Sequence, residues 1–175
     1  MAASAVVLNA KKREVWFVGD CLCLVDGVLY EYPKPEEVVN AEKRSKYIKK
    51  LLKEGRVTVE ELRVNDIGRD SIKNELRSCC ERQNRDYAVI NGMDIPENLV
   101  HVISVADARE IVLASDGYLV LKRTLEESER ELERIIKNDP LCIDLYKATK
   151  GVMKGYKSFD DRTFVRIENN EIIDK

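Results

Sequence analysis

The chain has 175 residues, 44% of them apolar and 35% charged, a composition that suits one globular domain with a core of its own. Thirty basic against 32 acidic side chains leave a net charge of −2, which gives nucleic acid or an anionic membrane surface no general attraction. No apolar run reaches the roughly 18 residues of a spanning helix, and the first eight residues lack the charged flank and length of a secretory signal, so a single cytoplasmic domain over residues 1–175 is expected.

The first thirty or so residues read as strands. Ser4–Leu8 is a short apolar run, Asn9-Ala10-Lys11-Lys12 is a polar break, and Glu14–Val18 is rich in β-branched and aromatic side chains. Cys21–Val25 and Val28–Tyr32 flank Asp26-Gly27, a strong hairpin signal because a type I′ turn needs positive φ at both central residues. Pro33 and Pro35 end this region and open a helix over residues 36–53, with Val38, Val39, Ala41, Tyr47, Ile48, Leu51 and Leu52 as its apolar side chains and Gly55 past its end. Its lysines and arginines over 43–53 read as a solvated face. Thr58-Val59-Glu60-Glu61 matches a capping box. Asp66 and Asp70 read as capping residues. A further helix over 71–84 has Ile72, Leu76, Cys79 and Cys80 as inward candidates. Strands are then expected at Tyr87–Ile90, Leu99–Val105 and Glu110–Ala114. Thr124-Leu125-Glu126-Glu127 is a second capping box, opening an amphipathic helix with Leu132, Ile135 and Ile136 on one face. Asp139-Pro140 interrupts it, and another helix is expected over 141–150. Arg162–Glu168 reads as a strand, and Asn169-Asn170 as a turn into Glu171-Ile172-Ile173. Strands, helices, strands, helices and a strand, in that order, suit an α+β layered fold.

Five cysteines, Cys21, Cys23, Cys79, Cys80 and Cys142, read as reduced thiols, and their spacings with the single His101 do not assemble a zinc site. His101 lies in an apolar strand pattern and reads as structural. Trp16 reads as core or interface. The acidic residues are more telling. Asp116 follows the run Ile111–Ala114 and precedes Gly117, while Asp160-Asp161 immediately precede a strand. If those strands are neighbours, the carboxylates converge at one sheet end, where they repel unless a cation neutralises them or one stays protonated. Oxygen ligands alone favour Mg²⁺ or Mn²⁺. Hydrogen-bonded aspartates in a solvated turn are the other reading of the same spacing.

Three segments in order resemble the type 2C metal-dependent protein phosphatases. Ile111-Val112-Leu113-Ala114-Ser115-Asp116-Gly117 is similar to that family's LLASDG segment. Ser158-Phe159-Asp160-Asp161-Arg162-Thr163 resembles its terminal DNxT motif and last strand. Val15-Trp16-Phe17-Val18-Gly19-Asp20, with the Asp26-Gly27 turn, resembles its VGDSR strand and hairpin. The resemblance implies a β-sandwich flanked by helices and hydrolysis of a phosphoester by metal-bound water, with a phosphoprotein as substrate. It maps Asp116 and Asp160 onto metal ligands and Asp20 onto the aspartate of an additional, weaker Mg²⁺ or Mn²⁺ ion. The family's Gly-Asp-Ser-Arg is Gly19-Asp20-Cys21-Leu22 here, its Asp-Asn pair is Asp160-Asp161, and no Asp-Gly-x-Gly-Gly precedes Gly19. The expectation is a domain whose N-terminal strands and bridging ligand are missing, with weak or no turnover. Its sheets would then be completed by a second copy or by the missing segment. Two other readings stay open: a non-catalytic association or regulatory module of the same fold, and a small-molecule or nucleotide-binding domain using the aspartate-lined end.

Overall fold

The computed structural model describes residues 2–168 and has a mixed α+β fold with two antiparallel sheets. The expected turn at Asn169-Asn170 and the segment Glu171-Ile172-Ile173 lie outside the described residues. The chain divides into two compact units, one holding residues up to Lys34, Gln83–Glu129 and the stretch from Asp160, the other Pro35–Arg82 and Arg130–Phe159. Among the described residues no helix is long and apolar enough to cross a membrane.

The first unit carries both sheets. Strands β1 (Ala5–Asn9), β2 (Glu14–Val18) and β5 (His101–Ser104) form one, in the order β1-β2-β5. Strands β3 (Leu22–Val25), β4 (Val28–Glu31), β6 (Glu110–Ala114) and β7 (Phe164–Glu168) form the other, in the order β4-β3-β6-β7. Alternation along β2 turns Val15 and Phe17 inward, both fully buried, while Glu14, Trp16 and Val18 stay partly exposed. Val15 and Phe17 share a core with Cys23, Ile111 and Leu113 of the second sheet. On the opposite face of that sheet, Leu22, Leu24, Val112 and Ala114 pack with Tyr118 and Leu121. Apolar cover on both faces is why β6 reads as a continuous hydrophobic run. The β3–β4 turn has the expected geometry, with φ of 48° at Asp26 and 85° at Gly27. The Asp26 carboxylate also accepts the backbone N–H groups of Arg109 and Glu110, which ties the turn to the start of β6.

One expectation for this unit changes. Tyr87–Ile90 is not a strand: only isolated bridges form, Ala3 with Ile90 and Gln83 with Tyr87. His101 opens β5 and is exposed, its ring stacked on Tyr32 at 3.8 Å between centroids.

The second unit is built on helices. It holds α1 (Glu37–Lys53), α2 (Val59–Val64), α3 (Ile67–Asp70) and α4 (Lys73–Cys80). Thr58 and Glu61 form the reciprocal capping box, and Asp66 caps α3 by accepting the N–H of Arg69. Ile48 and Leu62 bury together with Leu141 and Ile143. Val38, Val39 and Tyr47 of α1 are exposed instead, as is Cys80 of α4. Arg44 departs most from the solvated-face reading. It is fully buried, its guanidinium binding the Asp66 carboxylate and the carbonyls of Cys142 and Ala148. Helix α5 (Leu125–Asn138) starts at the Thr124 capping box, with Leu132 and Ile135 buried. The helix expected over 141–150 does not form. The buried Asp139 carboxylate takes the backbone N–H groups of Ile143, Asp144 and Leu145, which curls the chain into an irregular loop after Pro140.

Candidate functional site

Sheet register decides where the predicted aspartates fall. β6 pairs antiparallel with β7, Ala114 facing Phe164, so the C-terminal end of β6 meets the N-terminal end of β7. β3 pairs antiparallel with β6 on its other side, Leu22 facing Ala114, which brings the start of β3 to the same place. Three strand ends therefore converge, and Asp116, Asp160-Asp161 and Asp20-Cys21 are the residues just beyond them. Ser115 and Thr163 extend the β6–β7 ladder one step. The Thr163 N–H donates to Ser115 Oγ at 2.9 Å and the Ser115 N–H donates to the Thr163 carbonyl at 3.2 Å. Gly117 allows the last close approach. A β-carbon there would overlap the Asp161 carbonyl oxygen and crowd Arg162, so glycine is required where the two loops cross. Behind them Arg162 is held by Glu129, at 2.6 and 2.8 Å, and Glu129 also accepts the Tyr118 hydroxyl.

The strand ends surround a cavity of about 440 Å³, lined by Asp116, Asp160 and Asp161 together with Cys21, Lys34, Ser115 and the Ala2–Ser4 segment. Asp116 and Asp160 are thus brought together. Asp20 does not line the cavity, but its charge is felt there. Asp116 keeps exposed surface in the cavity, yet the protein packed around it strips part of its solvation and pushes its carboxyl above the ordinary value. The negative charges of Asp20 and Asp160 push the same way, against Lys34. Asp20 is shifted in the opposite direction. Burial alone would raise it, but the Lys34 charge and hydrogen bonds from Lys34 and Ser4 outweigh burial and hold it low. Its Oδ1 accepts the Ser4 hydroxyl at 2.6 Å and its Oδ2 the Lys34 ammonium. Gly19, at φ 88°, makes room for Ser4, which a β-carbon there would strike. The Cys21 thiol is pushed up to about 11 by burial and by the charges of Asp116 and Asp20, so it is no thiolate nucleophile at neutral pH.

This donor set can be tested against the ions that the sequence resemblance implies. Among the described residues, no three His, Cys, Asp or Glu side chains gather into a metal-holding group. Asp116 and Asp160 do suit one hard cation in charge and in ligand type, since a carboxylate held high by lost solvation and by neighbouring negative charge is one that a cation would relieve. Asp20 suits a cation poorly, with both of its oxygens engaged. Sequence reasoning missed Lys34 and Ser4. The signal for Lys34 is its place between Pro33 and Pro35, the pair that ends the strand region and opens the helix. No protein-family model, curated protein or solved structure matches this chain.

Proposed function

We propose that this chain is a phosphatase-like protein related to the type 2C metal-dependent phosphatases, and that its Asp116–Asp160 pocket holds a Mg²⁺ or Mn²⁺ ion weakly. The observation that carries the reading is the convergence of these two carboxylates on one cavity, with Asp116 held above its ordinary value by burial and neighbouring negative charge. The sandwich of that family is supported by the core that both sheets share. A bound divalent ion supplies Lewis acidity for phosphoester hydrolysis. The chain's own residues hold and orient it. Asp116 and Asp160 bind, Ser115 and Thr163 fix the spacing of their loops, and Gly117 lets those loops touch. With only Asp116 and Asp160 assigned to the ion and Lys34 supplying positive charge beside them, turnover of a phosphoprotein substrate is weak or absent. The test is an Mn²⁺ titration with an aryl phosphate. Slow hydrolysis that Asp116→Asn and Asp160→Asn both abolish supports a phosphatase. Hydrolysis that survives both substitutions removes the assignment.

A second reading, a non-catalytic association module of the same fold, draws on the outer face of the three-stranded sheet. Val7, Trp16 and Val102 sit opposite one another across its strands, with Val7 and Val102 about half exposed, at 51% and 52%. This face suits self-association. A sedimentation experiment with Val102→Glu tests this face: a wild-type dimer that the variant loses favours the module, and a wild-type monomer excludes self-association through it.

A further inference from the structure

The pairing of Asp20 with Lys34 is set by the β3–β4 hairpin. Leu22 faces Glu31 at its open end, so the residues flanking that pair, Asp20 ahead of β3 and Lys34 after β4, are carried to the same side. Pro33 and Pro35 restrict the backbone on both sides of Lys34. The ammonium contacts Asp20 Oδ2, the other carboxylate oxygen is taken by Ser4, and the Asp20 side chain is only 10% exposed. Lys34 also lines the cavity that holds Asp116 and Asp160.

We infer that Lys34 is a tethered cation standing where a metal ion would otherwise sit against Asp20, so that Asp20 is no metal ligand in this chain. The inference rests on the reading of Asp116 and Asp160 as cation ligands. An ion approaching Asp20 must displace an ammonium that the hairpin keeps at high effective concentration, and must also strip the Ser4 hydrogen bond. The same positive charge lies beside the remaining carboxylates and lowers their pull on a second cation. Lys34 is thus a positioning residue with two effects: it removes Asp20 from the donor set and keeps divalent affinity low.

The experiment is an Mn²⁺ titration of the full chain by calorimetry, with folding of each variant checked by its melt. Lys34→Met leaves Asp20 without its ammonium and is expected to tighten Mn²⁺ binding about tenfold or more. Lys34→Gln gives the same reading if Lys34→Met fails to fold. Lys34→Arg keeps the tethered charge and is expected to match the wild type. The charge-balanced pair Asp20→Asn/Lys34→Met replaces one neutral pair with another and is expected to keep wild-type affinity within about twofold. A smaller gain in Lys34→Met, or a larger loss in the charge-balanced pair, overturns the inference, the second because it makes Asp20 a ligand in the wild type. Asp116→Asn reads the underlying assignment separately. If it leaves Mn²⁺ binding intact while the Lys34→Met gain appears, the role of Asp116 falls and that of Lys34 stands. If the wild type binds no Mn²⁺ at millimolar concentration, the pocket assignment falls, and appearance of binding in Lys34→Met alone decides the inference.

Discussion

Replacing Arg44 by methionine tests how the helical unit is held together. The Arg44 side chain is fully buried, and the Asp66 side chain is 10% exposed. The guanidinium binds the Asp66 carboxylate at 2.7 and 3.1 Å, and the carbonyls of Ala148 and Cys142 at 3.0 and 3.3 Å. Asp66 in turn caps α3 through the Arg69 N–H and accepts the Gly151 N–H. Methionine fills most of the volume but leaves a buried carboxylate without its counter-charge and takes the guanidinium donor from the Ala148 carbonyl, while the Cys142 carbonyl keeps the Ala148 N–H. Breaking a buried pair in this way costs about 3–5 kcal/mol. At about 2–4 °C per kcal/mol for a chain of this length, the melting temperature should fall by roughly 6–20 °C. Asp66→Asn should also destabilise, and the double variant should cost less than the two single losses added, because the stranded charge is gone. Thermal melts of the four proteins give the cycle. A loss under about 1 kcal/mol for Arg44→Met, typical of an exposed pair, would refute the reasoning.

Three further outcomes follow from the first unit. Gly117→Ala should drive the Asp161 carbonyl away and lower both the melting temperature and Mn²⁺ affinity; an unchanged melt would show that the loop crossing is slack. Glu110 is held below the ordinary glutamate value by hydrogen bonds from Arg123 and Arg166 that outweigh its burial. A carboxyl lowered in the folded state contributes stability above its unfolded value of about 4.3 and loses it as pH falls through the folded one. Glu110→Gln should therefore flatten the loss of stability on acidification below about pH 4.5, and a variant as acid-sensitive as the wild type would contradict this. Asp116 is raised by burial and by Asp20 and Asp160, so its charge opposes folding at neutral pH. In EDTA, Asp116→Asn should melt higher than the wild type, and a lower melt would show that Asp116 is stabilised by contacts instead.

Local signals in the sequence carried much of the fold. Asp26-Gly27, the two capping boxes and the alternation of Glu14–Val18 each specify a conformation through a few adjacent residues, and each forms as expected. Where a distant partner decides, the sequence misleads. Residues 141–150 have helical composition, but Asp139 captures the N–H groups that a helix would need. Arg44 sits among solvated lysines in the sequence, and only the fold supplies Asp66 and the carbonyls that bury it. Asp116 and Asp160 are 44 residues apart, yet strand-end placement and antiparallel pairing were enough to bring them together. Lys34 stayed hidden because a lysine between prolines looks like a turn until the hairpin register sets it against Asp20.

The most direct measurement is Mn²⁺ binding to the full chain, followed by the electron paramagnetic resonance of free Mn²⁺, in the wild type, Asp116→Asn and Asp160→Asn. Saturable binding in the millimolar range that either substitution removes is the expected result. No binding at millimolar Mn²⁺, or binding that survives both substitutions, would contradict a carboxylate cation site at the meeting of β3, β6 and β7.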